Sequence, residues 1–130
     1  MKRCGTKLSN NCLLIVIILT VEDEFLISEY LRGILESGGH RVIATFDADE
    51  AIDVLERLRD IELVITDINM PGSMDGLRLA AAIRDRWPPI HLILVTGFRP
   101  PSKSELPRGS LFIPKPYGRV EILSAVQHFQ

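Results

Sequence analysis

Cysteine is scarce: there are two in 130 residues, Cys4 and Cys12. That excludes a disulfide-built scaffold, and with nothing beside them to activate a thiol, both read as reduced groups of a cytosolic protein. A surplus of either charge is lacking too. Lys plus Arg total 15 and Asp plus Glu total 17, a net charge of −2, which excludes a strongly basic nucleic-acid binder. No apolar run approaches the ~18 residues that span a membrane. The longest, residues 12–19, has eight. No Gly-rich phosphate loop and no Gly-x-Gly-x-x-Gly follows it, which argues against nucleotide binding. Internal repeats, low-complexity segments and a helix-turn-helix are absent as well. The chain does have apolar residues, 46% of the total, enough for a core and too many for intrinsic disorder. Its length suits one domain.

Charge is uneven along the chain. Residues 1–12 carry Lys2, Arg3 and Lys7 and no acid, so the remainder holds −5. A basic start before an apolar run imitates a secretory signal. Here no small-x-small cleavage site follows, the run is rich in Ile and Val, and it ends directly in Val21-Glu22-Asp23-Glu24. It therefore reads as a buried strand behind a flexible basic tail, residues 1–12.

Apolar strands then alternate with helical patterns. Strands are expected at residues 13–21, 41–46, 63–66, 90–96 and 111–113. The first helix repeats Phe25, Leu26, Tyr30, Leu31, Ile34 and Leu35, and Gly38-Gly39 stops it. Asp47 caps the second, with Glu50 placed as in a capping box and an apolar face of Ala51, Ile52, Leu55 and Leu58. A third occupies residues 76–87, closed by Pro88-Pro89, and a last amphipathic helix covers residues 120–129. Between strands four and five, Pro100, Pro101 and Pro107 hold the expected helix to about one turn. This alternation predicts a doubly wound α/β fold, with a parallel sheet covered on both faces.

Ligands of such sheets bind beyond the carboxyl ends of the strands. Those ends carry Glu22 and Asp23 after strand one, Asp67 after strand three, Thr96 after strand four and Lys115 after strand five. Each has an ordinary reading alone: a helix start, a turn, a strand end, a solvated lysine. Together, in order along one sheet edge, they read as a site. Packed carboxylates repel and call for a cation. All-oxygen ligands select a hard ion such as Mg²⁺. One carboxylate so held can attack phosphorus, while Lys115 and the metal neutralise the transferred group and Thr96 donates its hydroxyl to it. His40, His91 and His128 show no metal-ligand spacing, and Met70 and Met74 read as packing.

At this point the sequence resembles the receiver domain of two-component response regulators. The motifs are Val21-Glu22-Asp23-Glu24, Thr66-Asp67-Ile68-Asn69-Met70-Pro71-Gly72, Met74-Asp75-Gly76, Val95-Thr96-Gly97 and Pro114-Lys115-Pro116, and the likeness covers residues 13–130. The resemblance implies a flavodoxin-like five-stranded parallel sheet of order 2-1-3-4-5 with five helices, the fourth short here. It implies that Asp67 accepts a phosphoryl group from a sensor histidine kinase or phosphotransfer protein. Mg²⁺ would be held by Glu22, Asp23, Asp67 and the main-chain carbonyl of Asn69, and Thr96 and Lys115 would bind the phosphoryl oxygens. The family's switch aromatic falls on Phe112, which has no hydroxyl. The stretch around Thr96-Gly97-Phe98 weakly resembles a single-domain subgroup.

The function expected is a stand-alone phosphorelay switch in the cytoplasm, phosphorylating and dephosphorylating itself without turnover. It would pass its signal to a downstream protein partner, with no nucleic acid and no membrane involved; pairing of two copies is left open. A phosphate-independent interaction module is the alternative. An aspartyl phosphatase is disfavoured because Asn69 stands where such enzymes need a second Asp.

Overall fold

Strands with no polar face build a sheet that must be covered on both sides. In the computed structural model, which describes residues 15–130 apart from Pro71, Ser73 and Arg99, that is the arrangement found. The elements run β1 (Ile17–Val21), α1 (Phe25–Ser37), β2 (Arg41–Thr45), α2 (Ala48–Arg57), β3 (Leu63–Asp67), α3 (Gly76–Arg86), β4 (His91–Thr96), a 3-10 turn (Lys103–Glu105), β5 (Leu111–Pro114) and α4 (Arg119–His128). The five strands are all parallel, in the order β2-β1-β3-β4-β5. The expected tail, with Cys4, Cys12 and the Leu13-Leu14 start of strand one, lies outside the described residues.

The period of two along each strand divides the core into two layers. Ile18, Ile65, Ile93 and Ile113 meet Leu31, Leu35, Ile122 and Val126 of α1 and α4. Leu19, Val64, Leu92 and Leu94 meet Ala51, Leu55, Leu79 and Ile83 of α2 and α3. Met70 is buried in this second layer and Met74 packs against it.

Several boundaries differ from expectation for identifiable reasons. β1 starts at Ile17, because the Val16 N–H donates to the His40 Nδ1 at 3.1 Å instead of to a neighbouring strand. Leu58 leaves α2 as its extended C-cap and is exposed, so Val54 completes the buried face with Ala48, Ala51 and Leu55. Asp47 caps α2 by accepting from the Glu50 N–H at 2.8 Å, and the Glu50 carboxylate reaches one residue further back than a capping box, to the Phe46 N–H at 2.8 Å. α4 begins at Arg119, with Val120 exposed. The crossover between β4 and β5 holds only the 3-10 turn, so the described chain has four α-helices and not the five implied by the resemblance. Ser102 opens that turn and Glu105 closes it by accepting from the Ser102 N–H at 2.8 Å. Leu106 then packs against the α2–α3 layer in place of a helix.

Candidate functional site

Strand register brings the site together. Val21 is level with Thr66, Asp67 with Val95, and Thr96 with Pro114. The chain therefore leaves β1, β3, β4 and β5 at one height, and Glu22, Asp67, Thr96 and Lys115 meet on that edge. Glu22 is 2% exposed and Asp67 5%, whereas Asp23 is exposed. Oxygens of these three carboxylates lie within 4.8 Å of one another.

The Lys115 ammonium bridges the buried pair, donating to Glu22 Oε1 at 2.9 Å and to Asp67 Oδ2 at 3.1 Å. Burial pushes the Glu22 carboxyl above its ordinary range; the Asp67 charge adds to this, and the hydrogen bonds from Lys115 and the Glu24 N–H offset it only in part. Burial pulls the Lys115 ammonium down, but its bonds to Glu22 and Asp67 outweigh that and leave it above its usual value. The lysine is thus a fixed positive charge, and the acid trio is a set of hard oxygens that one small divalent cation could touch together.

The remaining oxygen of Asp67, Oδ1, accepts from the Asn69 N–H at 3.1 Å. The Thr96 Oγ1 accepts from the Asn69 side-chain amide and, at 3.1 Å, from the Phe98 N–H. Both lone pairs of that hydroxyl are engaged, so its proton is what it has left to offer. A buried carboxylate, a cluster of hard oxygens, a fixed ammonium and an oriented hydroxyl donor make an arrangement whose chemistry would suit a phosphoryl group.

The family model described as the response regulator receiver domain matches residues 18–127. The chain belongs to that family. Receivers are signalling domains, and the relatives of this one are response regulators and sensor kinases. The response regulator protein FleR of Pseudomonas aeruginosa is 42% identical over 81 residues, 62% of this chain and 17% of FleR. Sensor kinase CckA of Brucella abortus is 30% identical over 114 residues, 85% of this chain and 12% of the kinase. The receiver thus spans under a fifth of either of these curated relatives. Among solved structures, response regulator TrrA of Thermotoga maritima in complex with Mg(2+)-BeF superposes with a TM-score of 0.78 at 27% identity, covering 89% of this chain and all of that one. A response regulator receiver protein of Sinorhizobium medicae gives 0.80 at 24% identity, covering 88% and 94%, a likeness of fold.

Of the residues picked out in the sequence, Glu22, Asp23, Asp67, Asn69, Thr96 and Lys115 gather in this receiver. Phe112 does not join them: on β5 it is level with Leu94, two residues short of Thr96, and packs half-buried against the α2–α3 layer. Among the described residues no histidine enters a metal cluster, and no helix is long and apolar enough to cross a membrane. Two features of the site were not read from the sequence: the packing role of Gly76, quoted there only as part of the Met74-Asp75-Gly76 motif, and a pair of tyrosines. Gly76, at the start of α3, lies so close to β3 that a Cβ there would be 2.0 Å from the Asp67 carbonyl oxygen. Its N–H donates to the Ile68 carbonyl at 2.8 Å. Tyr30 and Tyr117 stack beside Lys115, and their only signal was an aromatic two residues after the lysine.

Among the described residues Lys115 is the one cation in contact with both buried carboxylates, so it should also stabilise the site in the absence of metal. Lys115→Met should cost about 3 kcal/mol near neutral pH, read from urea melts in chelator. Mg²⁺ should return more stability to this variant than to the wild type. Equal melts with and without the lysine would remove it from the ion pair.

Proposed function

We propose that this receiver is a phosphoacceptor: Asp67 takes a phosphoryl group from a phosphohistidine of a sensor kinase or phosphotransfer protein. The observation that carries the reading is the pairing of buried Asp67 with the Lys115 ammonium at 3.1 Å, inside a carboxylate trio whose oxygens lie within 4.8 Å of one another.

An Asp67 carboxylate oxygen attacks phosphorus in line with the leaving nitrogen. The O–P bond forms as the N–P bond breaks, and the nitrogen leaves with the electron pair. Glu22, Asp23, Asp67 and the Asn69 carbonyl would hold Mg²⁺, which when bound withdraws charge from the phosphoryl oxygens. Lys115 loses its contact with the Asp67 oxygen and follows the new negative charge. Thr96 donates its free hydroxyl proton to a phosphoryl oxygen. Because Thr96 also holds the Phe98 N–H, its inward movement pulls on the segment after β4 and biases the β4–β5 face. The output is a change in what that face binds, with no substrate turned over, and the downstream protein reads it.

The test is incubation with Mg²⁺ and a small phosphodonor, followed by intact mass. The expected result is a gain of one phosphoryl group that chelator prevents. A mass unchanged at saturating Mg²⁺ and donor would refute the reading.

A further inference from the structure

The phosphoacceptor chemistry depends on where the Lys115 ammonium sits, and the segment that carries it is held from outside the site. The Tyr30 hydroxyl, on α1, donates to the Tyr117 main-chain carbonyl at 3.1 Å. Their rings stack with centroids 6.0 Å apart and planes inclined by 24°. Tyr117 is two residues past Lys115 and is 7% exposed, whereas Tyr30 is 53% exposed. The two rings, with Ile27, Gly97, Lys115 and Pro116, wall a largely apolar cavity of about 400 Å³ beside the ammonium. The Tyr117 hydroxyl has no partner among the described residues, so its carbonyl and ring make the contact. Burial, and then the negative charges of Glu22 and Asp67, push that phenol upward and keep it protonated, so it brings no competing charge to the lysine.

We infer that Tyr30 is a positioning residue for phosphoryl transfer: by bracing the chain just after Lys115, it holds the ammonium where it meets both Glu22 and Asp67. A half-exposed tyrosine on the rim of a helix contributes little to the core, so its hydroxyl can be removed without disturbing the fold. Without that bond the segment from Lys115 to Tyr117 is held at one end by the Lys115 N–H bond to the Thr96 carbonyl at 2.9 Å and at the other by the buried Tyr117 ring, and its main chain loses its tie to α1. The ammonium then samples positions away from the Asp67 oxygen that phosphorus must approach.

The inference rests on the phosphoacceptor reading, and the experiment separates the two. Wild type and Tyr30→Phe are compared for the rate of phosphoryl uptake from a small phosphodonor across a Mg²⁺ titration, with melting temperatures measured in parallel. Losing one neutral hydrogen bond should slow the maximal rate about two- to tenfold. The Mg²⁺ concentration giving half the maximal rate should stay unchanged, because the acid trio is untouched, and the melting temperature should fall by no more than the few degrees that one neutral hydrogen bond is worth. Equal rates for both proteins overturn the brace. A slower rate matched by a loss of Mg²⁺ affinity, or by a fall in melting temperature beyond that of one hydrogen bond, also overturns it, since that marks general loosening. A wild type that takes up no phosphoryl group overturns the phosphoacceptor reading itself.

Discussion

Asp67→Asn should abolish phosphoryl uptake and leave the receiver folded. The amide has the shape of the carboxylate and can still accept from the Asn69 N–H, now made at 3.1 Å. It is not a nucleophile, and the buried neighbour is not free to take its place: Glu22 has both oxygens engaged, one by Lys115 and one by the Glu24 N–H. The substitution also removes one negative charge from a crowded trio. In chelator, melting should therefore hold steady or rise, while the stabilisation gained from Mg²⁺ shrinks, since one of its ligands is gone. Parallel melts and phosphodonor incubations check both halves. Undiminished uptake by Asp67→Asn would move the acceptor elsewhere.

Gly76→Ala should be the most damaging small substitution in the chain. The added methyl would sit 2.0 Å from the Asp67 carbonyl oxygen and 2.7 Å from both the Asp67 carbonyl carbon and the Ile68 Cα. These are backbone atoms at the end of a central, fully buried strand and cannot rotate aside. Either α3 moves off the sheet or the Asp67 segment shifts, at a cost of about 3 kcal/mol or more, the upper end for overpacking. Urea melts should show that loss, and uptake at Asp67 should fall with it even under conditions where the variant is folded. Gly33→Ala supplies the contrast. It lies within α1, its added methyl meets nothing within 4 Å, and the change should stabilise by about 0.5–1 kcal/mol. If both alanines behave alike, the close approach at Gly76 is not what the position requires.

The contrast between these glycines shows where sequence reading runs out. Both stand in helical surroundings, and although Gly76 belongs to the Met74-Asp75-Gly76 motif, only the packing of α3 onto the sheet shows that β3 closes against it. The strands were legible because a sheet buried on both faces demands near-continuous apolar runs. The edge residues were legible because parallel strands of similar length end together, so Glu22, Asp67, Thr96 and Lys115 had to meet. Boundaries slipped where a side chain outcompeted the ladder, as His40 does at Val16, or where a helix ended early, as α2 does before Leu58. The β4–β5 crossover was read correctly as short, since three prolines cannot sit in a helix interior, although a 3-10 turn and the packing of Leu106 could not be foreseen. The Tyr30–Tyr117 brace joins residues 87 positions apart through a backbone carbonyl, a contact that leaves no pattern in sequence.

The phosphoacceptor reading stands on one bond, between a phosphoryl group and the Asp67 carboxylate. The most direct measurement is to phosphorylate the wild-type receiver with a small donor in Mg²⁺, reduce the acyl phosphate with borohydride, digest and sequence the peptides by mass spectrometry. Reduction converts an aspartyl phosphate to homoserine. The predicted result is homoserine at position 67, absent when chelator replaces Mg²⁺. Homoserine at another aspartate, 5-hydroxynorvaline at a glutamate, phosphate retained on a serine or threonine after reduction, or an unmodified Asp67 in a chain that gained no mass, would contradict it.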